Sequence, residues 1–131
     1  MTPFSWTTRG ITLRGRVVGP KSGPALIFLH GFLDTSYAFK AMLPSFSDVF
    51  RAYAPDHRGH GTSDAIGRGG YYHFPDYLLD LDGLYRHFDI EQAVLVGHSM
   101  GASIACYFAG TFPERVRGLV LLDGIGPPTG V

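Results

Sequence analysis

Residues 94–101, Val-Leu-Val-Gly-His-Ser-Met-Gly, constrain this chain more than any other stretch. The apolar run at 93–96 is rich in β-branched valine and reads as a parallel strand buried on both faces. Gly97-x-Ser99-x-Gly101 follows without a spacer, and residues 102–109 then read as a helix. A strand that turns this sharply into a helix holds Ser99 in a strained backbone conformation. Side chains two positions before and after it would collide, and glycine at 97 and 101 removes them. In such a nucleophile elbow the hydroxyl stands above the sheet at the start of a helix, where the dipole and free N–H groups favour developing negative charge. The competing reading is a glycine-rich turn with an ordinary surface serine.

The rest of the chain alternates strand and helix patterns. Residues 5–8 and Ile11–Val18 predict a hairpin turning at Arg9-Gly10. After a turn-rich connection at 19–24, Ala25–Leu29 reads as a strand buried on both faces. Residues 36–47 place Phe39, Met42, Leu43 and Phe46 on one helical stripe, with Thr35 or Ser36 as cap. A strand at 49–54 and a polar, glycine-rich loop at 56–70 follow. The next helix runs from Phe74 to about Phe88, with Tyr77, Leu81, Leu84, Tyr85 and Phe88 on one side. Past the elbow and Phe112-Pro113-Glu114, Val116–Leu122 is apolar enough to be buried on both faces, and Asp123 begins the final nine residues. This alternation predicts an α/β fold: a mostly parallel sheet, an antiparallel N-terminal hairpin, and helices on both faces.

The 131 residues fit one domain. Eleven basic and eleven acidic residues give a net charge of zero, without runs that would suit nucleic acid or an anionic membrane. The start lacks the charged and apolar regions of a signal peptide, and runs such as Ala25–Leu29 are too short to span a bilayer. A cytoplasmic, soluble protein is expected. Cys106 is the single cysteine, so no internal disulfide forms, and its helical position suits packing. No cofactor and no metal are expected.

Two further segments stand beside Gly97-His98-Ser99-Met100-Gly101. His30-Gly31-Phe32 follows one apolar strand, and Asp56-His57-Arg58-Gly59-His60-Gly61-Thr62-Ser63-Asp64 follows the next. With these three ordered motifs the chain resembles the N-terminal half of the α/β-hydrolase family. The resemblance implies a truncated α/β-hydrolase fold, a single half-length domain over 1–131. Ser99 is then the nucleophile, and the backbone N–H of Met100, directly after it, is one oxyanion donor. The resemblance assigns the second donor to the Phe32 N–H and a bracing role to residues 56–64, with Arg58 paired to a carboxylate or to loop carbonyls. His30 reads as a loop-ordering hydrogen bonder. Asp123 directly follows the last strand, at the carboxyl edge where α/β sheets bind ligands, and is the best available triad acid. Its alternative is an Asp-Gly turn bonded to its own backbone.

The family's general base follows the acid in sequence, yet the histidines here, at 30, 57, 60, 73, 87 and 98, all precede Ser99. Two readings follow. One is a serine hydrolase of small carboxylic esters with a borrowed histidine base, for which His60, His57 and His30 are tried first. The other is a half-length hydrolase of little or no activity, an oligomer or binding module. Serine at 99 argues against epoxide hydrolase or dehalogenase chemistry, which uses an elbow aspartate in the resembling enzymes. A carbon–carbon bond hydrolase or perhydrolase would share the serine. Because Val116–Leu122 would be an unblunted edge with apolar faces, a homodimer or higher homo-oligomer is expected.

Overall fold

The hairpin turns where expected: Arg9 and Gly10 both take positive φ, 47° and 81°, the pattern of a two-residue type I′ turn. In the computed structural model, which describes residues 1–124, its strands are β1 (Thr2–Thr8), longer than expected, and β2 (Ile11–Val18). Pro3 is tolerated because β1 is an edge strand, bonded only to β2. Beyond it come β3 (Ala25–Leu29), β4 (Arg51–Asp56), β5 (Ala93–His98) and β6 (Val116–Leu122). Among the described residues, two α-helices, α1 (Phe74–His87) and α2 (Met100–Thr111), complete the regular elements with three short 3-10 turns.

The strands form one sheet in the order β1-β2-β4-β3-β5-β6. β2 pairs antiparallel with both β1 and β4, while β4, β3, β5 and β6 are mutually parallel. Pro55 in β4 has no N–H to offer, and the parallel ladder to β3 ends at Tyr53, before it is needed. Alternation along β3 sorts the core. Ile27 and Leu29 join Trp6, Leu84, Tyr85 and Phe108 under α1 and α2. Leu26 and Phe28 face the opposite side with Phe39 and Leu43.

That second face departs from expectation. Instead of one helix over residues 36–47 there are two 3-10 turns, Ser36–Phe39 and Leu43–Phe46, with Thr35 capping the first from its side chain. Pro44 explains the break: in an α-helix its ring would strike the carbonyl of residue 40 and its missing N–H would leave that carbonyl unpaired. Phe39 and Leu43 are buried as the stripe required, but Met42 is 41% exposed. β4 also starts at Arg51, two residues later than expected, because the N–H groups of Val49 and Phe50 fold back onto the Phe46 carbonyl. β6 is the outer strand on its side, and Leu119, Val120 and Leu121 are 40%, 45% and 44% exposed. Beside it, an apolar groove of about 360 Å3 runs over Phe28, Phe46, Val96, Val120 and Leu122. Among the described residues no helix is long and apolar enough to cross a membrane.

Candidate active site

β5 delivers the chain to Ser99 and α2 takes it away, with Ser99 itself at φ 51° and ψ −116°. A serine held in that region costs strain of order 1–3 kcal/mol, sustained only where the surroundings over-determine it. They do. The Ser99 N–H donates to the Leu122 carbonyl of β6 at 3.1 Å, and its carbonyl accepts from Ala102 and Ser103 N–H. A Cβ at Gly97 would lie 2.4 Å from the Gly101 oxygen, and one at Gly101 only 2.0 Å from the Leu29 oxygen. Both glycines are therefore steric requirements of the elbow, as its spacing implied. Met100 opens α2, where an N–H has no acceptor one turn back within the helix. Ser99 is solvent-exposed.

The loop after β3 approaches from the other side. Gly31 packs so closely that an added Cβ would lie 3.2 Å from both Ser99 Cβ and His98 Nδ1. Phe32 is 67% exposed and Leu33 81%, the latter in the positive-φ region at 59°. Asp123, also at positive φ, 45°, is exposed one step past the His98–Leu122 register pair, and so flanks Ser99 across the ends of β5 and β6. Ser99, Met100, Phe32 and Asp123 thus gather at the carboxyl edge of the sheet.

Residues 56–64 are tied down on several sides. The buried Asp56 carboxylate accepts from Ser36 N–H at 2.7 Å and from the Thr62 N–H and hydroxyl, both at 2.9 Å. Burial alone would raise its pKa, but the Thr62 and Ser36 hydrogen bonds outweigh that and leave it below the ordinary carboxylate value. Asp64 accepts from Thr12 N–H and pairs with Arg14, fastening the loop to β2. Arg58 donates twice to Asp80 of α1, each bond 2.6 Å, so the expected carboxylate partner is present. Arg9 of the hairpin turn reaches the same Asp80 at 2.9 Å and Asp76 at 2.8 Å. That the partner is Asp80, and that Arg9 joins this partly buried network, was not anticipated from sequence. Its available signal was two aspartates four apart on the apolar side of α1, among Tyr77, Leu81 and Leu84.

The histidines separate clearly. His30 and His57 are buried and bonded to each other through ring and main chain. His60 donates from Nδ1 to the Arg58 carbonyl, leaving Nε2 as the one buried side-chain nitrogen or oxygen without a partner among the described residues. Its ring stands 5.2 Å from that of His30 and 5.9 Å from that of Phe32. His73 precedes α1 and His87 ends it, while His98 is half-buried beside Gly31. Among the described residues no histidine nitrogen is hydrogen-bonded to Ser99, and no group of three or more His, Cys, Asp or Glu is placed to hold a metal ion.

Comparison with known proteins bears on this geometry. Residues 24–130 match the model of the α/β hydrolase fold. A serine hydrolase-like protein of Danio rerio is 37% identical over 87% of this chain and 35% of its own length. Epoxide hydrolase 2 of Siraitia grosvenorii is 41% identical over 89% of this chain and 37% of its own. Among solved structures, haloalkane dehalogenase DbeA of Bradyrhizobium elkani superposes with a TM-score of 0.89 at 31% identity, covering 96% of this chain and 41% of that one. The chain thus spans little more than a third of the length of these two relatives and about two fifths of the solved structure.

Proposed function

The chain belongs to the α/β-hydrolase family, and from that premise we propose that it forms the nucleophile half of a serine hydrolase acting on small carboxylic esters. One observation carries the proposal: a serine, in a strained elbow that admits only glycine at 97 and 101, stands exposed at the head of α2. Ser99 Oγ attacks the acyl carbonyl, and the Met100 and Phe32 N–H groups receive the oxyanion. Asp123 is the acid, supported by its place across the strand ends from Ser99. The base is a borrowed histidine. His60 is the first candidate because its Nε2 keeps an unengaged lone pair, whereas both His30 nitrogens and His57 Nε2 are hydrogen-bonded.

A serine at the elbow is the chemistry of acyl transfer, and this separates the proposal from the epoxide hydrolase and dehalogenase named among its neighbours. The second reading, a half-length hydrolase of little or no turnover, is favoured by the lack of any histidine bonded to Ser99 among the described residues. Covalent labelling distinguishes a formed nucleophile site from none. A fluorophosphonate should add to Ser99, read by intact mass and peptide mapping, and not to Ser99→Ala. An unmodified serine in folded protein would overturn the nucleophile assignment. Hydrolysis of a short p-nitrophenyl ester then separates the readings: turnover rising with pH through a histidine midpoint and lost in His60→Ala supports the first. Labelling without turnover supports the second, since an oxyanion site retains some reactivity without its base.

A further inference from the structure

We propose that His57 is a positioning residue for the Gly31–Phe32 main chain, which it holds through a reciprocal clasp with His30. Three hydrogen bonds build the clasp. The His57 N–H donates to His30 Nε2 at 3.0 Å, so the His30 proton resides on Nδ1, which donates to the Gly31 carbonyl at 2.8 Å. His57 Nε2–H donates back to the His30 carbonyl at 3.1 Å. Both residues are buried and their rings are 4.1 Å apart. Only neutral His30 satisfies this pattern, because a proton on Nε2 would face the His57 N–H. Gly31, the residue held, packs against Ser99 Cβ, so the clasp sets where the Phe32 N–H lies relative to the nucleophile.

Asp56 and Asp34 lie near enough to favour a charged His30, but burial outweighs them and neither carboxylate bonds to the clasp. Asp56 is committed to Ser36 and Thr62, Asp34 accepts from Thr35 N–H, and Asp80 is committed to Arg58 and Arg9. From α1, Tyr77 presents its ring edge-on to His57 at 5.7 Å. His60 lies 6.3 Å from His57, ring to ring, and His98 borders Gly31 from β5. Burial, aided by neighbouring imidazoles, holds His57 well below the ordinary histidine value, and burial first of all lowers His30. The clasped state therefore binds fewer protons than a released loop. Its contribution to stability is full above a pH of about 6.5 and declines below that, while the rings themselves protonate only at the lower pH set by the fold.

The chemical readout rests on Ser99 being the nucleophile, whereas the spectroscopic one does not. Nitrogen-15 spectra of the whole chain between pH 8 and 4 should find His30 as the Nδ1–H tautomer and His57 as the Nε2–H tautomer. Both should stay neutral through the usual range, and the Gly31 and Phe32 amide signals should move in step with those rings. Fluorophosphonate labelling of Ser99 should slow about tenfold in His57→Phe, which keeps a ring against Tyr77 but removes the donor, about the worth of one hydrogen bond. His57→Gln, which keeps an N–H near the Nε2 position, should stay within about twofold of wild type. Ordinary titration of either ring with unmoved amides would overturn the proposal, as would His57→Phe amides at wild-type positions or equal slowing in both variants. Should His57→Phe fail to fold, the wild-type titration decides alone. Should wild-type Ser99 take no label, the esterase reading fails while the spectra still test the clasp.

Discussion

Asp80→Ala is the substitution whose cost the structure defines best. Arg58 is 5% exposed and spends two 2.6 Å bonds on the Asp80 carboxylate, while Arg9 adds a third at 2.9 Å. Truncation leaves the Arg58 guanidinium buried, with Asp76 at 3.6 Å as its remaining carboxylate. Removing one member of a buried pair costs about 3–5 kcal/mol, because the other charge stays desolvated without compensation. Asp76 can close on Arg58 and Arg9, so the lower end, about 3 kcal/mol, is expected. For a domain of this size that lowers Tm by roughly 10 °C. Urea denaturation followed by far-ultraviolet circular dichroism reads it as a lower midpoint at unchanged slope. The double variant Asp80→Leu/Arg58→Met removes both charges and should recover most of the loss. Asp80→Ala within about 1 kcal/mol of wild type, or a double variant no more stable than the single, would refute the claim that this pair braces the 56–64 loop against α1.

Two glycine substitutions should act in opposite directions. Gly101→Ala drives a Cβ to within 2.0 Å of the Leu29 oxygen and should prevent native folding, whereas Gly110→Ala meets nothing within 4 Å and should stabilise α2 by about 0.5–1 kcal/mol, both read by thermal unfolding. Acid should destabilise in two windows, measured by urea midpoints against pH. His30 and His57, depressed in the fold, begin to oppose folding as pH drops below about 6.5, at up to about 1.4 kcal/mol per pH unit each. Asp56, also depressed, contributes stability above its ordinary 3.8 that is lost as pH falls further through its folded value. A homodimer through the β6 edge and its apolar groove should elute at twice 14.3 kDa in light scattering at micromolar concentrations, and Val120→Lys should return it to one copy. A folded 14.3 kDa species for wild type would exclude that assembly.

Where the chemistry is local, the sequence was sufficient. Gly97, Ser99 and Gly101 lie within five residues, so the steric demand of the elbow and the residues that relieve it are adjacent in the chain. The apolar runs of β3 and β5 and the one-sided pattern of α1 likewise signal burial through nearest-neighbour spacing. The helix expected over 36–47 is broken by a local feature, Pro44, whose ring outweighs the apolar stripe around it. Other features had no local signature. Arg58 meets Asp80 across 22 positions and His57 meets His30 across 27, and neither pairing has a periodicity to read. Only the packing of α1 and of the β3 and β4 loops onto one end of the sheet brings those partners within bonding distance. The same packing buries them, and burial makes their bonds obligatory, because a desolvated guanidinium or imidazole nitrogen has no water to turn to. Ser99 could therefore be named from its neighbours in sequence, while the groups that hold its surroundings in place were decided by the tertiary fold.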